Sequence, residues 1–326
     1  MAMQRQRTLL QMPDWVQELS GEPRAEIGTW PTPVHRMDNA SQALGVDIWV
    51  KREDLAGAWG GNKVRKLEFW LARHDVWKAG GVIVSGAGAS TWTAATALHA
   101  HRLGLGVTAA LAGEIPADRW ELYTELGTRV VQTRSLNAMP LAWAKARLLT
   151  PRRKALPMGG SGWPGDLGSY LCGAEIIEDG LHRSFPRPRA IFVAAGTAGT
   201  AAGIAAALAH RRQRIPIVAV RVAPRPWATA RVVTRHAKHL LKKMHALPDE
   251  RRLSIVGEGG FFGEGYGKPA RGVDEAIELA AADGVELEPT YTGKAFAALA
   301  SHALRGMGGP LLFIHTAAGS TPRVGR

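Results

Sequence analysis

Two lysines, Lys63 and Lys66, stand where a helix opens after a glycine pair. Trp49-Val50-Lys51-Arg52-Glu53-Asp54-Leu55 reads as a short apolar strand running into a polar loop. Gly60-Gly61-Asn62-Lys63-Val64-Arg65-Lys66-Leu67-Glu68 then reads as a turn and the start of a helix. An ammonium in the first turn faces the positive end of the helix dipole, which favours the neutral amine and makes an imine easier to reach. That is a setting for a Schiff-base lysine. Lys66 lies one turn on along the same face, placed to reach an anion carried by a ligand on Lys63. A lone lysine at a helix start is more often a surface residue, so the reading needs further features.

One is the run Gly196-Thr197-Ala198-Gly199-Thr200-Ala201-Ala202-Gly203, between an apolar strand over 190–195 and a helix over 204–210. Glycines let backbone N–H groups approach a phosphate, threonine hydroxyls add donors, and the helix N-terminus adds partial positive charge. Plain turn chemistry is the alternative. A dinucleotide loop would need G-x-G-x-x-G and an acid about 20 residues on. Here the spacing is G-T-A-G-T, and Arg221 follows the next strand. Another feature is Ser90, behind a Gly/Ala loop and just before a helix, where its hydroxyl faces the crevice at a strand's carboxyl end. An ordinary N-cap serine is the competing reading.

The elements that must hold these groups alternate strand and helix, the pattern of parallel α/β architecture. Strands are expected over 81–85, 107–111, 129–133, 190–195, 215–222 and 310–315. A helix is expected over 93–103, stopped by Gly104. The Pro/Gly-rich segment 150–168 marks a boundary or crossing between lobes.

At 326 residues the chain can hold two domains with real cores. Its 46% hydrophobic and 21% charged residues fit a globular enzyme rather than a disordered chain. The single cysteine, Cys172, excludes an internal disulfide and suits a reducing cytoplasm, the expected compartment. MAMQRQRTLLQMPDW has neither a sustained apolar core nor a small-residue cleavage site, so no signal peptide is expected. No apolar run is long enough for a membrane span. The net charge of +13 is concentrated in 207–245, from Arg211-Arg212 and Arg214 to Lys242-Lys243. No zinc-finger, helix-turn-helix or aromatic-interleaved signature accompanies it, so a solvated basic face is expected and no nucleic-acid partner. A basic surface would also draw in an anionic cofactor and amino-acid substrate.

The pattern "KREDL…GGNKxRKLE" resembles the pyridoxal-phosphate enzymes of the tryptophan-synthase-β superfamily (fold type II). Pro31-Thr32-Pro33-Val34-His35-Arg36 is similar to the "PTPLHRL" of its branch holding D-cysteine desulfhydrase and 1-aminocyclopropane-1-carboxylate deaminase. The loop at Gly196 resembles that superfamily's "GSGGTxAG". Ser90 to Gly104 matches the spacing of "GSNxxxxxAxxAxxLG", and Gly159-Gly160-Ser161 is similar to a "GGS" turn. Gly265-Tyr266-Gly267-Lys268-Pro269 resembles "GYGxP". Leu287-Glu288-Pro289-Thr290-Tyr291-Thr292-Gly293-Lys294-Ala295 resembles "LDPVYTGKA", and His315-Thr316-Ala317-Ala318-Gly319 resembles "HTGG". The resemblance runs from about 31 to 320.

The resemblance implies a two-domain α/β fold of parallel twisted sheets flanked by helices, with pyridoxal 5'-phosphate in the interdomain cleft. Residues 1–55 and 166–326 would form the large domain and 56–165 the small one. Lys63 would hold the cofactor as an imine and act as base at the substrate Cα. Lys66, Gly196, Thr197, Ala198, Gly199 and Thr200 would take the phosphate. Ser90 would contact the substrate carboxylate, and Ser161 the substrate or cofactor edge. Tyr266 would point into the site, Tyr291 would lie against the pyridine ring, and Thr292 and Thr316 would bring hydroxyls near it. Two positions depart from the pattern. Thr91 stands where an asparagine bonds the cofactor's 3-hydroxyl, and Trp92 stands where glutamine or histidine is common, able to fill the pocket or stack on a substrate. The cyclopropane deaminases read "YEGKS", their glutamate keeping a proton on the ring nitrogen. Thr292 cannot do so, which weakens the electron sink and favours β-elimination. The expected function is therefore a lyase releasing pyruvate, ammonia and sulfide from a small amino acid, as D-cysteine desulfhydrase does, in a homodimer. The cyclopropane deaminase is the alternative enzyme. A pyridoxal-phosphate-binding protein without lyase activity is the alternative of another class.

Overall fold

The computed structural model describes residues 21–181, 185–225, 227–246, 252–317, 319 and 321–322. The amino-terminal segment read for a leader, and Ala318 of the HTAAG motif, lie outside them. The described residues build two sheets. The larger has six strands in the order β1-β2-β10-β7-β8-β9, and the smaller has four in the order β5-β4-β3-β6. The larger comprises β1 (Val34–Arg36), β2 (Ile48–Lys51), β7 (Ala190–Ala195), β8 (Ile217–Arg221), β9 (Ile255–Glu258) and β10 (Leu311–Ile314). The smaller comprises β3 (Gly81–Ala87), β4 (Gly106–Ala112), β5 (Arg129–Thr133) and β6 (Lys154–Ala155). Every neighbouring pair is parallel except β1 with β2.

The central strands are apolar without interruption because both of their faces are covered, as parallel sheets require. Along β7, Ile191 and Val193 enter one core cluster while Phe192 enters the cluster on the other face. In the small sheet Val82 and Val84 face one cluster and Ile83 the other. Six helices position the site: α1 (Lys63–Leu71), α2 (Thr91–Arg102), α3 (Gly165–Leu181), α4 (Gly199–His210), α5 (Ala230–Lys243) and α6 (Thr292–Leu304). Helix α5 carries the basic run: Val233, Ala237, Leu240 and Leu241 are buried, whereas Arg231, Arg235, Lys242 and Lys243 are exposed. That is a solvated basic face over an apolar one.

Helix α1 is held by buried charge. Arg65 donates to Glu53 through Nε (2.5 Å) and Nη2 (2.7 Å), and to Glu175 of α3 through Nη1 (2.8 Å) and Nη2 (2.7 Å). Lys51, at the end of β2, reaches the same Glu175 at 2.8 Å and the Thr32 carbonyl at 2.7 Å. Burial alone would raise the Glu175 carboxyl, but Arg65 and Lys51 hold it below the usual carboxylate range. Next to Arg65 on the same face of α1, Glu68 accepts from Gly28 N (3.0 Å), Trp30 Nε1 (2.9 Å) and Arg24 Nε (2.6 Å).

A prediction follows from this cluster. Arg65→Ala leaves two buried carboxylates without their shared cation and should cost about 3–5 kcal/mol in chemical denaturation. Arg36→Ala, which breaks a pair open to solvent with Asp47, should leave the denaturation midpoint in place.

Candidate active site

Lys63 is the first residue of α1, directly after the Gly60-Gly61 turn. Gly61 has φ +54°, and an added Cβ there would stand 2.1 Å from the Ala317 carbonyl oxygen and 2.6 Å from that of Thr316. Only glycine lets the segment after β10 cross this turn, which brings the Thr316 backbone beside Gly61. Lys63 Nζ donates to Asn62 Oδ1 at 2.8 Å, and Asn62 Nδ2 donates to Thr200 Oγ1 of α4 at 2.8 Å. One asparagine thus ties the lysine to the glycine-loop helix. Burial pulls the Lys63 amine down to about 7, with the Lys66 cation acting in the same direction and Glu288 opposing. A lysine with this environment is an amine that is neutral in a large fraction of molecules near neutral pH.

The loop after β7 closes one side. Ala198 takes a left-handed φ of 67°, and Gly199 begins α4. Ser161 Oγ lies 2.7 Å from Thr197 Oγ1 and 3.0 Å from Lys66 Nζ. Lys66 Nζ also donates to the Gly159 carbonyl at 3.3 Å and lies 3.8 Å from Asp166 Oδ1. Burial lowers the Lys66 ammonium while Asp166 supports it. The Asp166 carboxyl stays below its ordinary value in spite of burial, through His236 and Lys66. A Cβ on Gly196 would meet nothing nearer than Tyr291 Cε1 at 3.7 Å. Hydroxyls of Thr197, Thr200 and Ser161, a buried ammonium and a helix N-terminus therefore gather beside a glycine with open space at its Cα. That donor set fits a phosphate.

The opposite wall comes from the start of α6. The Glu288 carboxylate accepts from Thr290 N (2.8 Å), Tyr291 N (3.0 Å), Thr292 N (2.7 Å) and Thr292 Oγ1 (3.0 Å). The Thr292 hydroxyl in turn accepts from Glu288 N at 3.0 Å. This is a reciprocal cap, with an acid satisfying the free N–H groups of a helix. Burial nonetheless raises the Glu288 carboxyl above its usual value, the capping hydrogen bonds opposing. The hydroxyls of Tyr266 and Tyr291 touch, with ring centroids 6.0 Å apart in an edge arrangement. Burial raises both phenols above their ordinary value.

Several expected residues sit differently from the sequence reading. Trp92 is 2% exposed and belongs to the small-sheet core. Its ring lies under Gly160, where a Cβ would come within 2.6 Å of it, so it packs the turn rather than stacking on a substrate. Ser161 belongs to the phosphate side, bonded to Lys66 and Thr197, not to the substrate side. The proton of the Thr292 hydroxyl is committed to Glu288, not presented to a ring nitrogen. Ser90 is the N-cap of α2, accepting from Thr93 N at 3.5 Å, and Thr91 follows it half-buried. The sequence reading missed four residues: Asn62, Glu288, Asp166 and His236. Asn62 and Glu288 stood inside quoted motifs and are short polar groups beside a chemical one. Asp166 and His236 carried no signal of their own.

The Lys63 environment gives a measurable consequence. Its amine should react with aldehydes in proportion to its neutral fraction, so the rate of reductive fixation of pyridoxal phosphate should rise through pH 7 and level off above it. Glu288→Gln removes the group that opposes the shift and should move that midpoint lower. A midpoint near 10, read by mass spectrometry of the modified peptide, would refute the buried setting.

The description "Pyridoxal-phosphate dependent enzyme" belongs to a family model that matches residues 25–317. A Pyrococcus furiosus protein described as "Putative 1-aminocyclopropane-1-carboxylate deaminase" is 36% identical over 308 residues, covering 91% of this chain and 92% of its own. A D-cysteine desulfhydrase of Salmonella schwarzengrund is 32% identical over 321 residues, covering 90% and 93%. A crystal structure titled as that of an ACC deaminase homologue superposes with a TM-score of 0.82 at 30% identity, over 95% of this chain and 96% of its own. Tomato (Solanum lycopersicum) threonine deaminase isoform 2, at 18% identity and a TM-score of 0.66 over 94% and 89%, shares the fold. With this match over most of its length and these relatives, the chain belongs to the pyridoxal-phosphate-dependent enzymes of fold type II.

Proposed function

We propose that the protein is a lyase that eliminates a β-substituent from a small amino acid, acting on D-cysteine or a close analogue to give pyruvate, ammonia and sulfide. The observation that carries this reading is Lys63: half-buried, with its amine lowered to about 7, and tied through Asn62 to the helix of the glycine loop. Bound pyridoxal phosphate supplies the electron sink that lets a Cα–H bond break. Lys66, Thr197, Thr200 and Ser161 would hold its phosphate, while Tyr291, packed beside Gly196, would bound its ring. Lys63 Nζ would hold the cofactor, and its amine would take the proton from the substrate Cα. Ser90 and the amides at the start of α2 would orient the substrate carboxylate. The touching Tyr266 and Tyr291 hydroxyls, both kept protonated by burial, would exchange a proton on the far side of the substrate.

Thr292 supports elimination over opening of a cyclopropane. It is neutral, and its proton is bound to Glu288, so it offers a ring nitrogen no acid of its own. The deaminase is kept as a second reading for one reason: Glu288 places a buried carboxyl a single hydroxyl away. The names of the relatives support both readings. The proposal includes a large domain of 1–55 and 166–326 around the six-stranded sheet and a small domain of 56–165 around the other. It also includes a cytoplasmic homodimer, supported by the buried free Cys172 and the family resemblance. No helix among the described residues is long and apolar enough to cross a membrane.

A panel of β-substituted D- and L-amino acids, with the cyclopropane substrate beside them, tests this. Pyruvate should appear from D-cysteine, and 2-oxobutanoate should not appear from the cyclopropane; the reverse pattern would establish the deaminase. Lys63→Ala should abolish both the visible cofactor band and turnover while leaving the fold intact. The exchange Thr292→Glu would set a second carboxylate against Glu288, so Thr292→Glu should destabilise the fold and the Thr292→Glu/Glu288→Gln pair should restore it.

A further inference from the structure

The phosphate side contains a carboxylate that a phosphate site does not need. Asp166 Oδ1, Ser161 Oγ and Lys66 Nζ converge on Gly199, where an added Cβ would stand 2.2, 2.5 and 2.6 Å from them. Asp166 is 2% exposed and Lys66 1%. Oδ1 has no hydrogen-bond partner, although Lys66 Nζ lies 3.8 Å away. The other oxygen, Oδ2, accepts from His236 Nδ1 of α5 at 3.1 Å. His236 is the solvent end of this chain of contacts, with a side chain 24% exposed.

A buried ammonium requires a counter-charge. Without a ligand Asp166 supplies it for Lys66. A ligand phosphate brings a second anion to the same cation, and two anions within about 4–6 Å of one another repel. How strongly they repel depends on where the Asp166 charge is held; His236 bonds its far oxygen, and the Gly162 backbone N–H also supports the carboxylate. We propose that Asp166 and His236 set how tightly the phosphate is held: Asp166 competes with it for Lys66, and His236 draws the Asp166 charge away. They are positioning residues for Lys66, and this rests on the reading of the Gly196–Thr200 loop as the phosphate cradle. If Asp166 were only a structural counter-ion, removing it would weaken phosphate binding; the competing role gives the opposite sign.

The test uses the full chain freed of cofactor and titrated with pyridoxal 5'-phosphate and, separately, with pyridoxal. Both aldehydes can join Lys63, so the ratio of their dissociation constants isolates the phosphate. Asp166→Asn should raise the preference for the phosphorylated form about tenfold, the effect of removing one nearby like charge. His236→Ala should lower it about threefold, as loss of a partly exposed pair. His236→Asn, whose amide can donate to Oδ2, should recover part of that loss. The double variant Asp166→Asn/His236→Ala should match Asp166→Asn, because His236 acts through Asp166. A preference that falls or stays constant in Asp166→Asn overturns the proposal, as does an additive double variant. His236 is partly exposed, so its variants report even if Asp166→Asn fails to fold. A wild type that takes up pyridoxal and its phosphate equally well would instead refute the phosphate cradle.

Discussion

One short helix carries three buried ionisable groups and a half-buried lysine, and the rest of the molecule is arranged around satisfying them. Lys63, Arg65, Lys66 and Glu68 all lie on α1, with only nine residues between its ends. At 100° per residue they divide into two opposed pairs. Lys63 and Lys66 lie toward the Gly196–Thr200 loop, while Arg65 and Glu68 lie on the opposite face. The second pair is fully bonded: Arg65 to carboxylates from two different elements, Glu68 to three donors near residue 30. Those bonds leave the helix no freedom to rotate about its axis. Lys63 can then be left with a single neutral partner, Asn62, which is what makes it chemically useful.

The same contrast appears in the direction of each shift. Arg65 keeps its charge because two carboxylates outweigh its burial. Lys63 gives up part of its charge because burial disfavours it, a second cation, Lys66, stands on the same face, and the one carboxylate in range, Glu288, is engaged by N–H groups at the start of α6. Burial alone does not create a reactive lysine; burial with a mismatched set of neighbours does. The adjacent Asn62 accepts a hydrogen bond without adding charge, so it orients the amine and leaves its basicity low.

The parallel α/β pattern was legible because doubly covered strands must be continuously apolar. The strands expected over 129–133 and 190–195 are β5 and β7 to the residue. Strand β9 escaped notice because Ile255-Val256-Gly257-Glu258 lies at the sheet edge, partly exposed and without a long apolar run. Among site residues, legibility followed motif density. Lys63 and the Gly196–Thr200 loop carry chemistry that spacing alone can suggest. Trp92 was misplaced because sequence does not say which face of a helix start meets the core; Gly160, with φ +66°, leaves room for its ring. Asp166 meets Lys66 only after the chain has crossed from one sheet to the other, so no local pattern announces it.

Thr292 shows how a residue's role depends on what its hydrogen atom is doing. A threonine offers one donor and two acceptor lone pairs. Here the donor goes to the Glu288 carboxylate and one lone pair accepts from Glu288 N, leaving one lone pair. A group facing Thr292 must therefore be a donor or go without a hydrogen bond. A pyridine nitrogen without a proton would meet only a lone pair, whereas a protonated one would find an acceptor with a buried carboxylate behind it. The hydrogen-bonding capacity of Thr292 is thus set jointly with Glu288. The acid that the motif lacks at one position is present four residues earlier, held back by the helix that it caps.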